Sequence, residues 1–199
     1  SFSNGTTSTQ KNPFIIYDGT ATSITATLTV NSSDSCSSSI TKTIGILKEA
    51  IGENRVSALP DMVVSLVKLN ANVLVERGAG LNAYADDASY QKAGASIAER
   101  NEVIEKADIV LSITKPSESN FKANAILVGV YQPLFHFQDM KTWAAAGYTV
   151  FSMDTIPRTT RAQSMDVLSS QANIAGYKAV LLAATSYSRY FPMFMTAAG

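Results

Sequence analysis

From Lys42 onward, short apolar runs alternate with amphipathic ones, a pattern that predicts strands alternating with helices. Thr43-Ile-Gly-Ile-Leu47 reads as a short buried strand. Pro60 to Leu69 reads as a helix with Pro60 in its first turn and Met62, Val63, Leu66, Val67 and Leu69 on one face. The usual Ser/Thr cap is missing there, because Leu59 precedes Pro60. Asn72-Val-Leu-Val-Glu76 is a second strand, turned at Gly78-Ala-Gly80. Asp87 to Ala93 is a short helix ended by Gly94, and Asn101 to Lys106 another turn or two. Asp108-Ile-Val-Leu-Ser-Ile113 is a third strand, stopped by Pro116, and Ala125-Ile-Leu-Val-Gly-Val130 a fourth. Gln138 to Ala146 is a helix ended by Gly147, Tyr148 to Met153 a fifth strand, and Ser164 to about Tyr190 mostly helical despite Gly176. The alternation predicts an α/β fold, a parallel sheet with helices on both faces. Ligands of such sheets sit beyond the carboxyl ends of the strands, where the loop after the fifth strand falls.

Residues 1–42 differ. Nearly half are Ser or Thr and charges are almost absent, a composition expected of a flexible linker or leader. Within it, Phe14-Ile-Ile-Tyr17 and Thr25-Ala-Thr-Leu-Thr-Val30, separated by Asp18-Gly19, are compatible with a marginal hairpin. Residues 43–199 are expected to form the folded domain. Hydrophobic residues make up 46% of the 199 and charged ones 16%, so a packed core is within reach. The formal net charge is zero, with no basic patch for nucleic acid. The longest apolar runs are far short of the roughly 18–20 residues a membrane-spanning helix needs, so this segment is expected not to insert into a membrane. The lone cysteine, Cys36, makes no internal disulfide, and with one histidine, His136, no metal site is expected. The chain starts at Ser1 and stops at Gly199, and is read as a fragment of a longer polypeptide.

Neither a Gly-x-Gly-x-x-Gly nor a phosphate-loop motif occurs, so no dinucleotide site of the chain's own is expected. Lys48-Glu-Ala-Ile-Gly-Glu-Asn-Arg-Val56 follows the first strand. Its Arg55 fits both an anion contact and a solvated charged loop. His136, between Phe135 and Phe137, reads as packing rather than catalysis, and Trp143 as core or interface. The richest stretch runs from Asp154 to Tyr177, with Arg158, Arg161, Gln163, Asp166 and Ser169 all inside 158–169. Ser164 and Asp166 are candidate helix caps. A capped helix start with surface charges and a polar ligand site both fit these residues.

Pro157-Arg-Thr-Thr-Arg-Ala-Gln-Ser-Met-Asp-Val-Leu-Ser-Ser-Gln-Ala-Asn-Ile-Ala-Gly-Tyr177, with Phe191-Pro-Met-Phe-Met-Thr-Ala-Ala-Gly199, closely resembles domain I, the α subunit, of proton-translocating NAD(P) transhydrogenases. Ile44-Gly-Ile-Leu-Lys-Glu49, Glu53-Asn-Arg-Val56, Val75-Glu-Arg-Gly-Ala-Gly80 and Ala107-Asp-Ile-Val110 extend the resemblance and are shared with alanine dehydrogenase. The resemblance implies a Rossmann-like domain whose Arg158, Gln163, Asp166 and Ser169 reach the nicotinamide of NAD(H) bound to a following domain, for hydride transfer to NADP(H) on a further domain. It ranks Arg161 lower, as a phosphate or loop contact. It also implies a homodimer, the NADP-binding and membrane domains as partners, and a place peripheral to the inner membrane of a bacterium or mitochondrion-like organelle. It implies that these 199 residues alone bind NAD weakly or not at all. In alanine dehydrogenase a lysine and a histidine act on the substrate. Their places here are Ser112 and Gln132, unless Lys115 is the lysine equivalent. The alternatives are an alanine-dehydrogenase-like NAD-dependent amino-acid oxidoreductase and a non-catalytic interaction domain.

Overall fold

In the computed structural model the described residues are 41–189 together with Val30–Asn31 and Ser37–Ser38. The chain divides into two compact units, Ser1–Thr41 and Lys42–Gly199. In the first, Val30–Asn31 pairs antiparallel with Ser37–Ser38, Val30 opposite Ser38. The Phe14–Tyr17 half of the expected hairpin, the linker expectation for this segment and Cys36 lie outside the described residues.

The second unit is built on six parallel strands: β1 (Thr43–Ile46), β2 (Asn72–Glu76), β3 (Ser96–Ala98), β4 (Ile109–Leu111), β5 (Ile126–Gly129) and β6 (Thr149–Ser152). Their order across the sheet is β3-β2-β1-β4-β5-β6, that of a doubly wound Rossmann sheet. The chain reverses direction across the sheet between β1 and β4. Five of the strands fall where the apolar runs predict them. β3 is an addition: its Ser-Ile-Ala sequence holds one strongly apolar residue, and it sits on the sheet edge, paired only to β2.

Five helices connect or follow these strands: α1 (Pro60–Lys68), α2 (Asp87–Lys92), α3 (Arg100–Lys106), α4 (Phe137–Ala145) and α5 (Val167–Ser186). Alternate strand residues feed two cores. Ile46, Val73 and Val75 pack with Val63 of α1 and Tyr90 of α2 on one face. Val110 and Leu127 pack with Val103 and Ile104 of α3 and Trp143 of α4 on the other. Each such apolar side chain removed from water contributes about 1.5–3 kcal/mol before entropy is set against it. Trp143 meets Phe121 and Tyr131 edge to face, at centroid separations of 6.4 and 5.4 Å.

Three expectations are corrected. The helix expected from Ser164 begins instead at Val167, and Thr160–Met165 winds as a 3-10 turn. Asp166 sets the boundary: its backbone is non-helical and its carboxylate caps the helix by accepting the Ser169 N–H, whereas Ser164 caps nothing. The packing expected of His136 between Phe135 and Phe137 is not found: its side chain is about half exposed and the two rings are 81% and 60% exposed. Apolar residues spread around the whole circumference of α5, and none of them is buried.

Candidate functional site

The residues flanking α5 converge beyond the carboxyl end of β6. Met153–Thr155 turns the chain off the strand, and Ser152 fastens that turn. Its hydroxyl donates to Asp154 Oδ1 at 2.5 Å and accepts the Tyr131 N–H at 2.9 Å, while its carbonyl accepts from Thr155 Oγ1. Pro157 keeps the next segment extended, and Ala162, the one buried residue of Thr160–Met165, anchors its middle. The result is a cavity of about 330 Å³ lined by Asp154, Arg158, Gln163, Asp166, Ile156 and Leu168, among others.

Three of the four residues singled out from the sequence thus face one cavity, and Ser169 reaches the fourth position through Asp166. Its N–H and Oγ donate to the two carboxylate oxygens at 3.0 and 2.6 Å. Arg158 and Gln163 are exposed, line the cavity and make no side-chain hydrogen bond among the described residues. Arg161 does not line the cavity. A free guanidinium, a free amide and a capped carboxylate around one concavity suit a polar, hydrogen-bonding ligand.

Asp166 is both cap and cavity wall. The Ser169 hydroxyl and amide, with the Arg158 charge adding to them, hold its carboxyl below the usual carboxylate range. A depressed folded pKa adds stability that is present above the unfolded value and is lost as pH falls through the folded one. Thermal melts from about pH 7 down to about pH 2 should therefore fall less steeply on the acid side for Asp166→Asn than for the parent. Superimposable acid limbs would remove the carboxylate from the linkage.

The crevice between β1 and β4, where doubly wound sheets commonly bind ligands, holds a cavity of about 290 Å³ whose walls include Glu49, Glu76, Arg100, Ser112 and Glu118. Glu49 accepts from Ile113 N–H at 2.5 Å, Thr114 N–H at 2.9 Å and Thr114 Oγ1 at 2.6 Å, joining the loops after the two strands. Arg100 donates to Glu76 at 2.7 Å, to both oxygens of Glu118 at 2.6 and 2.9 Å, and to the Lys48 carbonyl at 3.0 Å. The Arg100 guanidinium holds Glu118 below its usual range.

Arg55 lies in neither place. It borders a larger apolar groove of about 710 Å³, shared with Val56, Tyr84, Val130, Leu168 and Ile174. Ser112 is buried and its hydroxyl lies 3.0 Å from that of Tyr131, whose own ionisation burial pushes up. Gln132 is exposed with φ of 48°, a left-handed conformation uncommon outside glycine. Lys115 pairs with Asp139 at 3.0 Å. His136 is half exposed, 3.8 Å from the same carboxylate. Sequence reading did not single out Gln171 as a partner of Arg55, because only the fold brings the two together, whereas Glu53 stands two residues from Arg55 in the chain. Among the described residues no helix is long and apolar enough to cross a membrane, and no group of His, Cys, Asp or Glu is placed to hold a metal.

A doubly wound parallel sheet with an Arg–Gln–Asp cavity beyond its last strand defines a Rossmann-like domain with a candidate site at the usual edge. Residues 45–175 match the family described as alanine dehydrogenase/PNT, N-terminal domain, and the chain belongs to that family. It is 37% identical over 160 residues to NAD(P) transhydrogenase subunit alpha of Haemophilus influenzae, covering 78% of this chain and 31% of that protein. The crystal structure of transhydrogenase from Sinorhizobium meliloti superposes with a TM-score of 0.74 at 42% identity, covering 79% of this chain and 48% of that one. An L-alanine dehydrogenase structure superposes with a TM-score of 0.65 at 24% identity, covering 72% and 40%, a likeness of fold. The chain thus spans less than half the length of these relatives.

Proposed function

We propose that residues 43–199 are the N-terminal portion of the NAD(H)-binding component of a proton-translocating NAD(P) transhydrogenase. The observation that carries this reading is the single cavity lined by Arg158, Gln163 and Asp166. The residues fit a nicotinamide. Gln163 offers an amide able to both donate to and accept from a carboxamide or ribose, and Arg158 a guanidinium with unused donors. NAD(H), held mainly by a following domain, supplies the hydride-carrying ring, and NADP(H) on a further domain is the other partner.

This chain's contribution is placement. Gln163 fixes the orientation of the ring through its carboxamide. Arg158 and Asp166 lock the loop, and Arg158 senses the change in ring charge as hydride leaves or arrives. Ser169 holds Asp166 in place. None of them exchanges a proton with the reactants, because hydride moves directly from ring to ring and needs only close face-to-face placement. Coupling to proton movement, a homodimer, and membrane and NADP-binding partners belong to the same proposal, as does a position peripheral to an inner membrane. Ser112 and Gln132 support the same reading if they, rather than Lys115, take the places of the lysine and histidine of an amino-acid dehydrogenase of this family.

The test is the complete enzyme's choice of reaction. Expected is hydride exchange between NADH and an NADP analogue, with no NADH oxidation dependent on pyruvate and ammonia. The reverse pattern would transfer the chain to the amino-acid oxidoreductases, and neither activity would leave an interaction domain.

A further inference from the structure

The loop after β1 reaches across to the helix that carries the cavity. Arg55 Nη1 donates to Gln171 Oε1 at 2.7 Å, linking residues 116 apart in sequence. The other side of the guanidinium is already taken. Nε donates to Glu53 Oε1 at 2.8 Å and Nη2 to Glu53 Oε2 at 2.6 Å, and the Arg55 backbone N–H donates to the same Oε1 at 2.9 Å. The Glu53 side chain is only 17% exposed, so the fork is held from a fixed base. A bidentate Arg–carboxylate pair fixes the plane of the guanidinium and leaves Nη1 aimed in one direction.

Gln171 lies in α5 one turn past its start, on the face with Val167, Leu168 and Ile174 that borders the apolar groove. The cap and its cavity-lining carboxylate, Asp166, begin the same helix. Since α5 buries none of its residues, packing fixes its position weakly, and a hydrogen bond from a preoriented donor gains importance. We infer that Glu53, Arg55 and Gln171 form a strut that positions the start of α5, and with it Asp166 and the 158–166 loop, for the reaction proposed above. Arg55 is then a positioning residue. The rival role, direct recognition of a ligand carboxylate, would compete with Glu53 for Nε and Nη2 and with Gln171 for Nη1.

The inference rests on the nicotinamide reading, so its test has two arms. In the complete enzyme, Arg55→Lys keeps the charge but loses the fork, and Gln171→Leu removes the acceptor. Each should slow hydride transfer about tenfold with KM for NADH changed less than about twofold. The double variant should be no slower than the slower single one, because both remove one connection. Normal turnover in Gln171→Leu, or losses that multiply in the double variant, would overturn the strut. So would Arg55→Lys behaving as the parent. If Arg158→Ala slows transfer about 10²-fold while Gln171→Leu transfers at the parental rate, the strut fails and the nicotinamide reading stands. The second arm is independent of catalysis: backbone amide exchange at 167–171 should quicken about tenfold in both single variants. Unchanged exchange would overturn the strut whatever the activity of Arg158→Ala.

Discussion

Arg158→Ala in the complete enzyme should lower hydride transfer by about 10²-fold, with the melting temperature within a degree or two of the parent. Gln163→Asn should do nearly as much, since it draws the amide back by one methylene, and a misplacement of about 1 Å can cost that factor in a reaction governed by placement. Both side chains are exposed and make no hydrogen bond to the rest of the described domain, so folding loses little when they change. Single-turnover transfer beside a thermal melt separates the two effects. Parental rates in both variants would leave the stretch as a capped helix start with surface charges and nothing more.

Gly129→Ala should do the opposite, destabilising the fold from a position that does not itself line the cavity. A Cβ there would lie 2.2 Å from the Ser112 carbonyl oxygen and 2.5 Å from Tyr131 Cε1. Neither neighbour has room to move. Ser112 donates its N–H to Val128 within the β4–β5 ladder, and Tyr131 is enclosed in the core beside Trp143. Overpacking of this kind costs about 3 kcal/mol, which in a domain of this size lowers the melting temperature by roughly 6–12 °C. Gly176→Ala serves as the contrast. It lies within α5 with nothing inside 4 Å of an added Cβ, so it should raise stability by about 0.5–1 kcal/mol. A parental melt for Gly129→Ala would mean that the β4–β5 contact relaxes far more easily than its geometry implies.

The sheet was legible because its strands are short apolar runs bounded by glycine, proline and asparagine, a code that depends on neighbours in sequence. Ser96–Ala98 escaped it because an edge strand with a single partner needs few apolar residues. The start of α5 was misplaced by a few residues because Ser164 and Asp166 have equal capping chemistry on paper. Only the path of the backbone decides that Asp166 meets Ser169. The candidate site was legible as a cluster, since its residues lie within one short stretch. Its attachment was not. Arg55 and Gln171 meet across 116 residues, and nothing local to either encodes the other. The exposure of Phe135 and Phe137 was illegible for the reverse reason: aromatic residues read as buried, yet these flank His136 at the exposed start of α4, 81% and 60% accessible.

Glu49 and Arg100 tie the loops at the carboxyl edge of the sheet to one another through seven hydrogen bonds, most of them charge-assisted. That edge therefore acts as a stiff rim, and the start of α5 is braced against the loop after β1 by the bond from Arg55 to Gln171. On the reading proposed above, a ligand arriving over the rim would meet a surface already set on one side and an arm held by that one bond on the other. The reorganisation it demands is confined to a single short segment, and the six-stranded sheet stays out of it.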